Sequence, residues 1–250
     1  MTARANLYEG SVYLSRFLNG VWGPMQGPIE STRFAIKSNV TRKEQESRAR
    51  GTFGQVIAAV NVPAPSDFSV TFTEGTPAVM AMGLAGTVAV LASTGGTLTA
   101  ADVVTVPNAW VALTKAALTG PAVVTNAGAT VTYVEGTDYM LNRTLGLLKA
   151  LSTGAIVASA TVKLTTSYAA ISGSRIDALV TADVRVRLVL DGRNLADGAD
   201  CVVTVHEAVL AAEAVVDFLS GNFIDVPLTG RLVTPVGKTS PVQVDMRDSA

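Results

Sequence analysis

The sequence predicts a mainly β protein: a β-sandwich or barrel domain with a flanking helix, interrupted by a small Ig-like β-sandwich. Three observations carry the prediction. Apolar and polar residues alternate with period two through most segments that lack turn residues. Turn pairs such as Asn19-Gly20, Asp191-Gly192 and Asp197-Gly198 punctuate those segments. The texture shifts to Ala, Thr, Val and Gly from about Thr87 to Ala170 and then reverts. Residues 1–86 and 171–250 are therefore read as one discontinuous domain, and residues 87–170 as a sandwich inserted into it.

Residues 11–18 are rich in apolar and aromatic side chains, and Asn19-Gly20 follows them. Both turn residues tolerate positive φ, so a hairpin is expected, with Val21-Trp22 opening the return strand. Gly23-Pro24 and Gly27-Pro28 break that return. Residues 33–37 alternate again, residues 55–62 form a further strand, and residues 68–73 alternate as a half-buried strand should. Between them lies the densest charge cluster of the chain, residues 42–51, which reads as a long solvated loop. Residues 76–86 read as a short helix: Thr76 suits the N-cap, Pro77 the first helical position and Gly86 the end.

In the insertion, strands are expected at residues 103–106, 110–113, 122–125, 130–134, 147–151 and 160–168, separated by turn residues at near-regular intervals. Beyond it, residues 184–190 alternate, with Arg185 and Arg187 on one face. Asp191-Gly192 and Asp197-Gly198 are turn signals, after which residues 202–206 pair back as the next strand. Residues 207–219 show helical spacing, and residues 223–232 and 242–246 complete the strands.

Composition narrows the function. The chain has 250 residues, enough to bury a core without staples. Only 16% of residues are charged against 48% hydrophobic, which excludes intrinsic disorder. Nineteen basic residues face twenty acidic ones, so no basic excess is present to recruit phosphates. Mean hydropathy of +0.38 leaves two choices, a membrane or an assembly that hides apolar surface. Residues 75–101 carry no charge and are long enough to span a bilayer. However, Pro77, Gly83, Gly86, Thr87, Gly95 and Gly96 interrupt them and no Lys or Arg anchors the ends. They read as a buried helix followed by a buried strand, so no membrane insertion is expected. The first ten residues contain no apolar run, so no secretory signal is expected either.

Chemistry-bearing residues are sparse. Cys201 and His206 are the only ones of their kind, too few for a zinc site or a disulfide. No G-x-S-x-G, no phosphate-binding loop and no dinucleotide fingerprint occurs. Asp191, Asp197 and Asp200 lack the spacing of a calcium loop and read as turn residues, as does the run Glu135-Gly136-Thr137-Asp138. No catalytic residue, metal or cofactor is expected. A hydrolase working through paired carboxylates is the minor alternative.

The order of strand, Asn-Gly hairpin, strand, charged loop, two strands and Thr-Pro helix resembles the major tail tube protein of long-tailed, non-contractile bacteriophages. The resemblance is carried by Gly10-Ser11-Val12-Tyr13-Leu14, by Glu44-Gln45-Glu46-Ser47-Arg48 leading to Gly54-Gln55-Val56, by Phe68-Ser69-Val70-Thr71-Phe72, and by the helix from Thr76. It covers residues 8–86 well and 171–246 loosely. Residues 133–139 with Gly146-Leu147-Leu148 look like an element common in phage structural proteins, except that Asn142 stands where an Asp is usual.

The resemblance implies hexameric rings stacked head to tail into a tube, with strands joined into a continuous barrel and the insertion on the exterior. It implies a virion tail assembled in the host cytoplasm. The implied partners are further copies of the chain, a tape measure protein, and tail terminator and tip proteins, with DNA passing through without sequence-specific binding. A lumen poor in basic residues is expected, since phosphate attraction would retard ejection. Arg42, Lys43, Glu44, Glu46, Arg48 and Arg50 are then expected to make the contacts between rings, in a loop disordered in the free monomer. Two alternatives stand beside it: a tube of a contractile tail or secretion system, and a β-rich surface or carbohydrate-binding module with the insertion as binder.

Overall fold

Strand β1 (Tyr8–Leu18) buries Val12 and Leu14 on one face, and Asn19-Gly20 turns it into the two-residue strand β2 (Val21–Trp22). Asn19 has φ 52° and Gly20 φ 84°, the left-handed pair that a tight hairpin turn demands. Strand β3 (Gln26–Ile29) then pairs with β1, Ile29 opposite Val12. The sequence signals only a Pro/Gly break here, and β3 is short enough to have no alternation of its own. The computed structural model describes residues 5–157, 159–181, 183–212, 216–219 and 221–247.

Strand β4 (Ser31–Glu46) runs straight through the charged segment, and β5 (Val56–Phe72) spans both of the strands expected at 55–62 and 68–73. The two pair as one long hairpin, so the turn is confined to residues 47–55. Pro63 and Pro65 do not end β5. Pro63 faces Val40 without donating, and a bulge at residues 65–66 absorbs the second proline. Asn39 bridges that bulge, its Nδ2 donating to the Pro65 carbonyl at 3.0 Å and to Asp67 Oδ2 at 2.8 Å.

Helix α1 (Pro77–Gly83) starts as expected, with Thr76 Oγ1 accepting from the Val79 amide at 3.4 Å. It ends at Gly83, earlier than expected, and the Gly86 amide closes the turn on the Ala81 carbonyl at 2.7 Å. Val79 and Met82 are fully buried.

Strand β6 (Thr87–Ser93) is mostly exposed, not the buried strand its composition suggests. Strand β7 (Gly96–Val104) follows, then β8 (Trp110–Ala112), β9 (Leu118–Asn126), β10 (Thr132–Tyr133), β11 (Tyr139–Asn142), β12 (Leu147–Ala150) and β13 (Thr161–Tyr168). A four-stranded sheet, β10-β9-β13-β7, and a three-stranded one, β11-β12-β8, enclose Val124, Tyr139, Leu148, Val162 and Leu164. Strand β14 (Ile171–Asp177) pairs with β6. The chain divides into two compact units, Met1–Ala89 with Ile176–Ala250, and Val90–Arg175.

The turn-like run before β11 has a specific task in the second unit. Asp138 accepts the Val134 amide on Oδ2 and the Ala155 amide on Oδ1, both at 2.8 Å. The Ala155 bond and then the Val134 bond hold its pKa below the ordinary value of 3.8. A depressed carboxylate pKa contributes stability that is present above the unfolded value and lost as pH falls through the folded one. Asp138→Asn should therefore lower the melting temperature of the full chain at neutral pH, and the gap to the wild type should narrow as pH falls below the ordinary carboxylate range. Thermal unfolding as a function of pH checks this. Asn142, where the resemblance has an Asp, accepts the Leu145 amide at 3.0 Å, a turn contact that either residue can make.

Strand β15 (Val184–Asn194) continues through Asp191-Gly192, so the turn lies instead at residues 195–199 and includes Asp197-Gly198. Gly192 sits opposite Gly10 within the strand pair; a Cβ on Gly10 would strike the Asp191 carbonyl, and one on Gly192 would come within 2.9 Å of the Cys201 carbonyl. Strand β16 (Asp200–Ala212) overturns the expected helix at 207–219 as far as Ala212; residues 213–215 and 220 lie outside the described residues. The reason is a bulge. Val186 faces Ala208 but Leu188 faces Val205, so His206 and Glu207 together oppose Arg187. The extra residue shifts the buried positions from 201, 203 and 205 to 208 and 210, and the spacing across the shift imitates a helix. Strands β17 (Val226–Leu232) and β18 (Val242–Met246) both pair with the remaining edge of β16, on either side of that bulge.

The first unit is thus one antiparallel sheet, β2-β1-β15-β16-β17-β5-β4, with β3 on β1 and β18 on β16. Only Glu30 separates β3 from β4, so the pairing of β3 with β1 draws the two ends of the order together and curls the sheet around its core. That core holds Val12, Leu14, Phe68, Val70, Phe72, Val186, Leu188, Leu210 and Leu228, with Val79 and Met82 of α1 packed in.

Candidate assembly interface

The β4–β5 hairpin outruns the sheet that carries it. Strand β17 pairs with β5 only from Asp67 to Phe72. Residues 56–64 of β5 have β4 as their one strand partner, and β4 has no partner on its outer edge among the described residues. A two-stranded ribbon with both faces in water is at best marginally stable by itself, and a free edge is a template for another strand.

Strand alternation sorts the side chains. Thr41, Lys43 and Gln45 share one face with Val62, Val60 and Ala58, while Arg42 and Glu44 share the other with Asn61 and Ala59. Arg42 pairs with Glu44 along its own strand. Of the six residues expected in a loop, Arg42, Lys43, Glu44 and Glu46 therefore lie on β4, and Lys43 faces away from Arg42 and Glu44. Arg48 and Arg50 are exposed in the turn. The turn is hydrogen-bonded: the Ser47 amide donates to the Gln55 carbonyl at 2.7 Å, and the Ser47 and Thr52 hydroxyls meet at 2.8 Å.

Charge drew attention to this segment, but its apolar side chains are the stronger feature. Phe53 is 78% exposed, Ile57 64%, Val60 61% and Val40 57%. Exposed apolar residues gathered on a projecting ribbon are the kind of surface that interaction sites use. The signal was present in the valines of residues 55–62, which read equally well as an interior strand.

The other candidate residues take structural roles. Arg185 donates to Glu207 Oε1 through Nε at 3.0 Å and Nη2 at 2.6 Å, and stacks over Phe17 at 4.3 Å. Arg187 stacks over Trp22 at 4.0 Å and donates to the His206 carbonyl at 3.2 Å. The Asn-Gly hairpin thereby holds two aromatic rings under the two arginines on the sheet face. Burial, then Lys238 and Arg187, lower the His206 pKa. Cys201 is buried in β16. In the second unit Glu135 and Arg143 form a two-bond pair at 2.6 and 2.8 Å, and the Arg143 hydrogen bond holds the Glu135 carboxyl below its ordinary pKa. Among the described residues, no group of three or more His, Cys, Asp and Glu is placed to hold a metal ion, and no helix is long and apolar enough to cross a membrane.

No curated protein matches the chain. The model of a family described as "Protein of unknown function UCP028589" matches residues 6–242, nearly the whole length, and the chain belongs to that family.

Proposed function

We propose that this chain is a structural virion protein, the subunit of a phage tail tube, whose hexameric rings stack head to tail into a channel for DNA. The observation that carries the reading is the hairpin: 16 and 17 residues long in its two strands, apolar on exposed faces, and unpaired along the outer edge of β4. Lateral pairing along that edge would extend the curled sheet from one copy to the next, and the projecting half would reach an adjacent ring. Both contacts join different patches of the same chain, the arrangement that closes rings and stacks them without limit. The low charge of the chain suits surfaces buried on assembly. The second unit would decorate the outside of the tube. The same geometry serves a contractile tail or a secretion system, in which a separate sheath surrounds the tube. The test is electron microscopy of the concentrated full chain, where rings or hollow tubes are expected.

A further inference from the structure

We infer that the groove bordered by β1, β3 and α1 is the socket for the hairpin turn of a second copy, with Phe53 as the inserted side chain. The inference rests on the stacking reading above and supplies it with a receiving site.

The poles of the first unit are set by strand direction. Each neighbour in the order β1-β15-β16-β17-β5-β4 is antiparallel, so β1, β16 and β5 run one way and β15, β17 and β4 the other. The hairpin turn lies where β4 ends and β5 begins. Leu18, Phe72 and the start of α1 lie at the opposite end. Over the 17 residues of β5 the separation is about 50 Å.

At that far end is a groove of about 840 Å³, a size that admits a large side chain and its neighbours. Its walls are mostly apolar, among them Leu14, Leu18, Ile29, Pro77, Ala78 and Met82. Two charges stand in them, Arg16 and Glu74. Arg16 reaches Thr181 Oγ1 through Nη2 at 3.3 Å, but its Nε is buried with no partner in the free chain. A buried donor without an acceptor is costly, and an incoming acceptor would relieve it.

The turn offers the complement. Phe53 is its most exposed apolar side chain, with Arg48 and Arg50 beside it and Glu46 at its base. An apolar knob enters an apolar groove, while one acid and one base on the rim meet charges of the opposite sign. An exposed knob at one pole and a pocket at the other make a heterologous contact that repeats by translation and does not close, the rule for an open polar stack. Aromatic side chains seated in desolvated pockets carry a large share of such contacts.

The test mixes full chains carrying Gln55→Cys, which keeps Phe53, with full chains carrying Ala78→Cys under assembly conditions and mild oxidation. A disulfide joining positions 55 and 78 of different copies, identified by peptide mass spectrometry, is the expected result. Phe53→Ala should in addition raise the concentration needed for stacking by more than about tenfold. Tubes that form without that disulfide, or that form from Phe53→Ala at the wild-type concentration, overturn the socket and leave the tube reading standing. A wild-type chain that forms neither rings nor tubes overturns both.

Discussion

Replacing residues 42–50 by a Gly/Ser stretch should abolish the proposed tube formation while leaving the first unit folded. The expectation follows from where these residues sit. They are remote from the core, whose β5 members begin at Phe68. Every one of them except Ser47 is exposed, so their loss removes little that holds the fold. Gly and Ser weaken strand pairing through backbone entropy and the absence of packing side chains, so the outer half of the hairpin loses its shape together with Arg42, Lys43, Glu44, Glu46, Arg48 and Arg50. Circular dichroism should stay β-rich with a melting temperature within a few degrees of the wild type. Sedimentation should show no species larger than single rings. Tubes of normal length from this variant would remove the hairpin from the contact between rings.

Phe68→Ala should have the largest effect on the fold. Phe68 is 2% exposed, sits at the root of the hairpin, and meets Phe34 of β4 edge to face at 5.0 Å. Truncating a buried Phe removes its transfer free energy and leaves a cavity, at a cost of about 3–5 kcal/mol. For a unit of this size the melting temperature should fall by roughly 10 °C. The neighbouring Ile36→Ala, at a side chain already 42% exposed, should cost far less. A fall of only a degree or two for Phe68→Ala would mean that the root of the hairpin is not packed as described. Because the same ring anchors β5 where β17 stops supporting it, the variant should also assemble poorly at temperatures where it is still folded.

Much of this fold was legible in the sequence, for identifiable reasons. Asn19-Gly20 gave the first hairpin because its backbone chemistry admits few alternatives. Thr76-Pro77 gave the start of α1 because cap and first-turn preferences are local. Apolar and aromatic richness gave β1, and alternation gave β5 beyond Asp67 and the first part of β15. What failed depends on partners distant in sequence. The bulge at His206-Glu207 turned a strand's period of two into an apparent helix, and only pairing with β15 reveals it. Asp191-Gly192 looks like a turn but lies in a strand, because Gly10 across from it makes the close approach possible. Two strands were expected where β5 is one, because a bulge and Asn39 carry it past Pro63 and Pro65.

The candidate interface was half legible. Its charges stood out against a charge-poor chain, and the six named residues do lie together on one hairpin. That they belong to strands was hidden, because a ribbon solvated on both faces lacks the alternation that burial imposes. Its apolar residues were visible but ambiguous: Val60 and Val62 look the same in a sequence whether they face a core or a second copy. Only the end of β17, whose Arg231 is the last residue to face β5 at Asp67, shows that residues 56–64 run beyond the sheet and stay exposed.

This chain is proposed to bury its hairpin against copies of itself in a tube. The most direct measurement is negative-stain electron microscopy of the purified full chain across a concentration series. Hexameric rings that give way to hollow, uniform-diameter tubes as concentration rises are the predicted result. Dispersed monomers at every concentration would contradict it.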